Sequence, residues 1–336
     1  MIKTANVVAE IGLLIYPDCQ LAAIYGLTDL FRISGEWAQG DTESGSFSAI
    51  RVSHWQVENE GETVTCIWDS YPDEPHVLAH IIVPPSIVMP ENMHIPHAAA
   101  TWMKAQHAQG STLCSVCAGA FILAETGLMD GRRVTTHWAF ARQLAARYPE
   151  VNVAEDNMVI DDGDIITAGG ILAWADLGLS LVQRFLGAEV MLSTARFLLL
   201  DPPRQYQRPF AVFIPQFNHG DDVILRVQHY LHASAGEPQV ISALAEKEGM
   251  SERTFLRRFT KATGLRPVEY LQQIRIMKAR EALELTVQPV EQIAWQVGYK
   301  DPAAFRKIFH KLTGLTPGTY RQRFSVLAAN LTGDMQ

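Results

Sequence analysis

The chain has 336 residues, 48% hydrophobic and 19% charged, with 28 Lys+Arg against 36 Asp+Glu for a net charge of −8. This composition excludes a disordered or low-complexity chain, and the length suffices for two or three domains with cores of their own. The acidic balance excludes a protein that holds nucleic acid through its overall charge, and four cysteines in so long a chain exclude a disulfide framework.

The opening residues, MIKTANVVAEIGLLIYPDC, lack the charged start and small-residue cleavage site of a secretory leader, and no run of 18 apolar residues follows. The expectation is a soluble cytoplasmic protein with no membrane role. Residues 7–16 (VVAEIGLLIY) read as a buried strand, and Leu21, Ile24, Leu27, Leu30 and Phe31 after Pro17 carry helical spacing. Residues 40–75, rich in Gly, Ser, Glu and Thr, are expected to give one or two peripheral strands. Short apolar runs recur at 77–83, 112–116 and 164–168, with helical patterns at about 97–109, 119–127, 138–148 and 173–187. Buried strands alternating with helices imply an α/β domain over residues 1–200 with a mostly parallel sheet covered on both faces.

Within it, residues 111–138 (STLCSVCAGAFILAETGLMDGRRVTTHW) concentrate the candidate chemistry. A strand ends at Ser115-Val116, and Cys117 is followed by the small residues Ala118 and Gly119 and then a helix, so Cys117 projects from a sharp strand-to-helix elbow. A helix N-terminus favours the thiolate, and His137 twenty residues on is available as a base. Cys117, Ala118, Gly119, His137 and Trp138 are the candidate ligand pocket, with a buried inert thiol, and catalysis or redox sensing, as the competing readings of Cys117. Cys114 and Cys117 form C-x-x-C, but Cys114 falls inside the strand and no second cysteine pair exists, so no metal or cofactor is expected. Six of the seven tryptophans lie in this domain (Trp37, Trp55, Trp68, Trp102, Trp138, Trp174), and an aromatic cage for a quaternary ammonium competes with ordinary core packing as their use.

Residues 201–220 contain four prolines and are expected to be a linker. Charge changes across it. Residues 1–220 carry 12 Lys+Arg and 24 Asp+Glu (12 − 24 = −12), residues 221–336 carry 16 and 12 (16 − 12 = +4), and residues 250–325 carry 14 and 6 (14 − 6 = +8). The basic surplus coincides with a repeat: FLRRFTKATGLRPVEY at 255–270 returns as FRKIFHKLTGLTPGTY at 305–320, and Leu244-Ala245 and Gly249 return as Ile293-Ala294 and Gly298. Two copies are too few for a solenoid and mark a duplicated supersecondary unit. Each copy reads as a short helix, a glycine turn and a second helix with phenylalanines four apart inward and basic residues outward, a helix-turn-helix at about 240–262 and again at 290–312. Ser251 and Asp301-Pro302 are the expected starts of the second helices.

The doubled unit, with its paired T-G-L-x-P-x-x-Y endings and a bridging helix at about 267–285, resembles the AraC/XylS family of bacterial transcription regulators over residues 222–324. The N-terminal domain resembles the PfpI-type branch of the class I glutamine-amidotransferase-like superfamily over residues 5–195, on Cys117-Ala118-Gly119, Val134 to Trp138, Ile166 to Gly170 and Asp176. Together they resemble GlxA-type regulators. The resemblance implies a flavodoxin-like doubly wound parallel sheet followed by an all-α domain at 221–325 and a tail at 326–336. It implies a sequence-specific regulator, an activator in a bacterial cell, that senses a small metabolite such as an amino acid or quaternary amine. Its implied partners are double-stranded DNA, a second copy of the chain and RNA polymerase. On the first reading helix it implies base contacts from Arg253, Thr254, Leu256 and Arg257 and phosphate contacts from Arg258 and Lys261. On the second the equivalents are Ala303, Ala304, Arg306 and Lys307, with Lys311 outward. Where enzymes of the PfpI superfamily carry a glutamate, this chain has Ala22, which leaves Cys117 without its carboxylate. The competing functions are a PfpI-type cysteine hydrolase or amidase with a helical appendage, which Cys117 and His137 favour, and a nonspecific architectural DNA protein, which the acidic first domain disfavours.

Overall fold

The computed structural model describes residues 4–38, 46–58 and 63–327; the expected tail beyond 327 lies outside the described residues. Two compact units divide the chain, Met1–Gln207 and Arg208–Gln336.

In the first unit, strands β1 (Thr4–Ile15), β2 (Ser46–Glu58), β3 (Thr63–Asp69), β4 (Leu78–Val83), β5 (Thr112–Val116), β8 (Val159–Asp161) and β9 (Ile165–Ala168) form one sheet in the order β3-β2-β1-β4-β5-β9-β8. A two-stranded ribbon of β6 (Arg133–Val134) and β7 (Asn152–Val153) stands apart from it. The five inner strands are parallel, while β3 and β8 run antiparallel at the two edges. Consecutive residues such as Ile81, Ile82 and Val83 are fully buried, because helices cover both faces and each alternate side chain meets a core. Helices α1 (Leu21–Trp37), α5 (Trp174–Leu186) and α6 (Ala188–Phe197) pack together as one layer; α2 (His97–Ala108) and α3 (Gly119–Ala124) form the other, and α4 (Ala141–Arg147) follows β6. This is the flavodoxin-like doubly wound sheet. The stretch expected to be peripheral holds two strands, and only β3 is at the edge: β2 has 13 residues and buries Ile50 and Val52 beside β1. Helix α6 has no counterpart among the helical patterns read from the sequence.

The second unit is all helical: α7 (Asp222–Ala233), α8 (Ile241–Lys247), α9 (Glu252–Thr263), α10 (Pro267–Leu285), α11 (Val290–Gln296), α12 (Pro302–Thr313) and α13 (Pro317–Phe324). The two helix-turn-helix units are α8–α9 and α11–α12. Their turns contain Gly249 and Gly298 at φ 67° and 93°, left-handed values that a side chain disfavours. Each copy has its own core, Phe255 and Phe259 with Leu244 and Tyr270 in one, Phe305 and Phe309 with Ile293 and Tyr320 in the other. Helix α10 serves both, giving Leu271 and Ile274 to the first and Ile276, Ala279 and Leu283 to the second.

Residues 201–220, expected to be a linker, contain the division between the two units, and residues on each side of it are bonded within their own unit. Arg204 grips the buried Asp176 carboxylate through its backbone N–H and its guanidinium, and Gln207 is 2% exposed. Beyond the division, Phe213 packs edge-on against Tyr270 and Phe217 stacks on His229. The four prolines forbid helix and sheet but not docking.

Candidate functional sites: a nucleic-acid interface and a cysteine elbow

Helix α9 begins at Ser251, whose hydroxyl accepts the Thr254 N–H, and ends at Gly264 in the left-handed conformation. Phe255 and Phe259 are fully buried, so the opposite side of the helix is fixed as the solvent face. Arg253 and Arg257, one turn apart, are exposed on that face together with Lys261, and Thr254 and Leu256 are half-buried. Among the described residues neither Arg253 nor Arg257 has a hydrogen-bond or ion-pair partner within the chain. Arg258, expected to reach phosphate, has another partner: its Nε and Nη2 donate to the two Asp221 carboxylate oxygens at 2.9 and 2.7 Å, and Nη1 to Met250 Sδ. This pairing holds the Asp221 carboxyl below the ordinary carboxylate range.

In α12, Asp301 caps the helix by accepting the Ala303 and Ala304 N–H groups at 2.9 and 3.2 Å. Ala303 and Ala304 are exposed, Arg306 pairs with Glu291 of α11, and Lys307 and Lys311 are exposed. The second face therefore offers lysines and methyl groups where the first offers two guanidinium forks unpaired among the described residues, the geometry suited to the O6/N7 edge of guanine.

In the first unit the elbow is real. Cys117 has φ 54°, left-handed and strained for a residue with a Cβ, and the position is held by Cys117 N–H donating to Ala168 O at 2.8 Å and Thr136 Oγ1 donating to Cys117 O at 2.7 Å. Gly119 is required here: a Cβ would meet the Val83 and Pro84 carbonyl oxygens at 2.6 and 2.5 Å. The expected thiolate fails, however. Cys117 is 2% exposed, and burial pushes its thiol up to about 12, the Ala118 N–H giving only partial relief. Ala118 and Gly119 are buried too, and α3 spans just six residues, so the helix dipole expected to stabilise a thiolate is short. No hydrogen bond joins Cys117 to His137 among the described residues. His137 Nδ1 accepts the Ala139 N–H at 3.1 Å, its ring lies against Trp138 and Phe140, and burial lowers its pKa. The first turn of α1, which holds Ala22, contains no acidic residue.

Among the described residues no ring contact brings more than two of the tryptophans together. Trp37 packs on Phe197, Trp55 on Trp102, Trp68 on His54, and Trp174 lies where a Cβ on Gly26 would stand.

Sequence reasoning missed Gln207, buried beside Thr136 and Trp138. It also missed Gln20, and it considered Trp174 only as a cage residue; Gln20 Oε1 and Trp174 Nε1 are among the buried polar atoms without partners in the described residues. Gln20 follows β1 and its N–H donates to Pro85 O just past β4, the pair of strands between which the strand order reverses. Trp174 opens α5 just past β9. A glutamine before a helix carries no pattern that flags it, and nothing in the sequence marks the indole N–H of Trp174 as unpaired.

Residues 55–184 match the DJ-1/PfpI family, and residues 244–323 match a helix-turn-helix domain family. The chain is similar to the HTH-type transcriptional regulator GlxA of Rhizobium meliloti, 27% identical over 85% of this chain and 84% of that protein. It is also similar to the HTH-type transcriptional regulator CdhR of Pseudomonas aeruginosa, 26% identical over 67% of each. The HTH-type transcriptional activator RhaR of Pectobacterium carotovorum is 37% identical over 28% of this chain and 33% of its own length. The chain thus carries a DJ-1/PfpI domain followed by an AraC-type helix-turn-helix domain, and the relatives it matches over two thirds or more of its length are named transcriptional regulators.

Proposed function

We propose that the protein is a sequence-specific, ligand-responsive activator, reading DNA with α9 and α12 and sensing a small metabolite at the Cys117 elbow. The observation that carries the DNA reading is the pair Arg253 and Arg257, exposed one helical turn apart and unpaired among the described residues, above a fully buried Phe255 and Phe259. Thr254, Leu256 and Lys261 complete that face, and Ala303, Ala304, Arg306, Lys307 and Lys311 form the second. Enrichment of binding sites from random duplexes tests it: a defined sequence should emerge, and no enrichment over random DNA would overturn the reading. By name the RhaR relative is an activator, which supports the same direction here, with RNA polymerase and a second copy of the chain as partners.

Sensing rather than catalysis is supported by the same elbow. A nucleophile needs a thiolate or a base within hydrogen-bond reach, and Cys117 has a thiol raised to about 12 and, among the described residues, no bond to His137. Ligands of doubly wound sheets lie beyond the carboxyl ends of the strands where strand order reverses. There Gln20 supplies a buried unpaired acceptor and, past β9, Trp174 a buried unpaired donor. Each unpaired group costs about 1–3 kcal/mol unless something binds it, which favours a small polar ligand, amino acids among them. Screening such metabolites for a rise in the melting temperature of the full chain identifies it, since binding the native state stabilises by mass action. Turnover of a peptide, amide or glycated substrate that disappears in Cys117→Ser would overturn the sensing role.

A further inference from the structure

We propose that Arg275, with the two glycine turns it joins, holds the two helix-turn-helix copies at one fixed angle, so that the protein reads half-sites at a single spacing; the inference rests on reading α9 and α12 as the two DNA-reading helices. The copies have separate cores and share α10. Two bodies on one shared helix can still pivot about it unless a second contact, away from that helix, holds them. The second unit contains such a contact. The segment between α7 and α8 belongs to the first copy, with Ala235 fully buried in its core, and the turn between α11 and α12 belongs to the second, with Tyr299 packed on its core. A Cβ on Gly236 would stand 2.7 Å from Gln296 O, and one on Gly298 would stand 2.9 Å from Gly236 O. Backbone therefore meets backbone between the copies, which only glycine at both positions allows.

Arg275, near the middle of α10, clamps this meeting point. Its Nε donates to Ala235 O at 2.8 Å and its Nη2 to Glu237 O at 2.9 Å, both in the first copy. Its guanidinium carbon lies 5.5 Å from the centre of the Tyr299 ring, in the second. A Cβ on Gly298 would stand 2.8 Å from Nη2, so the second turn closes over the arginine itself. The Tyr299 hydroxyl is buried without a partner among the described residues, so this tyrosine contributes its ring face rather than a hydrogen bond. A guanidinium suits the place because its planar fork reaches two carbonyls while its face stacks on an aromatic ring. Lys278, one turn on, adds a bond from Nζ to His232 O at 2.9 Å, at the end of α7. Loosening this junction leaves each core intact and frees the angle between them. One base pair inserted between half-sites turns one of them by about 35° and shifts it by about 3.4 Å relative to the other, a displacement that two reading helices held at a fixed angle do not follow.

The test uses the full chain, with and without DNA. Arg275→Met removes the fork and keeps an unbranched side chain; Gly236→Ala leaves Arg275 untouched and, at a residue outside the left-handed region, acts only by pushing Gln296 O away. On an operator enriched from random duplexes, one base pair inserted between the half-sites should lower wild-type affinity by about 5- to 150-fold, the usual cost of a mismatched base pair. The same insertion should cost both variants several-fold less. A loss of stability alone, which melting curves measure, scales both affinities equally and leaves the spacing penalty where it was. Without DNA, nitroxides on Thr260→Cys and His310→Cys, exposed on α9 and α12, are placed in a Cys66→Ser background, the other three cysteines being buried. Their distance distribution should be narrow with Arg275 and Gly236 in place and broad in each variant. If no operator emerges from the selection, the DNA reading fails while the distance distribution still tests the junction. Equal widths in all three chains, a wild type indifferent to spacing, or a spacing penalty that neither variant reduces overturns the proposal.

Discussion

In the first helix-turn-helix copy Gly264 closes the reading helix at φ 76° and ψ −4°; in the second, Gly314 does so at φ 75° and ψ −2°. Thr263 and Thr313 each donate a hydroxyl to the carbonyl four residues back at 2.8 Å, and the paired phenylalanine rings stand 5.6 Å apart in both. Apart from Lys261 and its equivalent Lys311, the solvent faces differ. Arg253 and Arg257 stand where Ala303 and Lys307 do, and the arginine on the outer face of α12, Arg306, is paired with Glu291. Core, cap and turn positions are tied to backbone geometry, so duplication preserved them. The outward positions are not held by the fold in this way and were free to diverge. A duplicated scaffold of this kind can read one half-site closely and use the other mainly for affinity.

The largest effect should come from salt. Two basic faces together neutralising on the order of 6 to 10 phosphates imply a fall in affinity of about 10³- to 10⁵-fold between 50 and 200 mM salt. If only the first copy docked, the slope of log affinity against log salt would be roughly half as steep, so a titration measured by fluorescence anisotropy decides whether both copies engage. Next in size are the arginines. Arg253→Ala or Arg257→Ala should cost about 1–3 kcal/mol on the selected operator and relax base choice at one position. Lys307→Ala should weaken cognate and random DNA alike. Equal losses on both DNAs for the arginine variants, or a second half-site as stringent as the first, would break the comparison.

How much of this could be read in the residues differs between the two units for a physical reason. The T-G-L-x-P signature was legible because each of its residues acts locally, with threonine returning its hydroxyl to the helix, glycine taking the left-handed turn and proline starting the next helix. The elbow was legible for the same reason, as small residues on both sides of Cys117 announce a tight turn. Its electrostatics were not: burial raises the Cys117 thiol, and burial is set by packing between segments distant in sequence. Gln207 was hidden more thoroughly, because its five partners come from segments 50 to 72 residues away and its own surroundings read as a proline-rich linker. Arg258 looked like its neighbours on α9, and its pairing needed Asp221, 37 residues earlier.

The shared scaffold makes a smaller, symmetrical prediction. Gly264→Ala and Gly314→Ala each force a Cβ into a left-handed conformation, with open space around the first and only Arg208 Cβ at 3.8 Å near the second. Both should destabilise the second unit by about 1–2 kcal/mol through backbone strain alone. Unequal losses in denaturant midpoint would show that the copies are less alike than their dihedral angles.

The smallest effect concerns an ion pair of the first copy that the second cannot form. Arg258 lowers the Asp221 pKa, chiefly through the hydrogen bond between them, and in the second copy Ile308 occupies the position equivalent to Arg258. A carboxyl whose folded pKa is depressed adds stability above its unfolded value, about 3.9, and loses that contribution as pH falls through the lower folded value. Both groups are partly exposed, so solvent screens the pair and the gain is modest. Asparagine at 221 keeps an N-cap for α7 while removing the charge. Hydrogen exchange in the full chain should therefore show Asp221→Asn lowering protection of the Phe255 and Phe259 amides a few-fold at pH 6, with Phe305 and Phe309 unchanged. As pH falls below the depressed folded pKa of Asp221 the wild type should converge on the variant, because its own carboxyl is then protonated. Protection that fell equally in both copies would mean that Asp221 supports the whole unit through the α7 cap, and a difference that persisted in acid would mean that charge is not what it contributes.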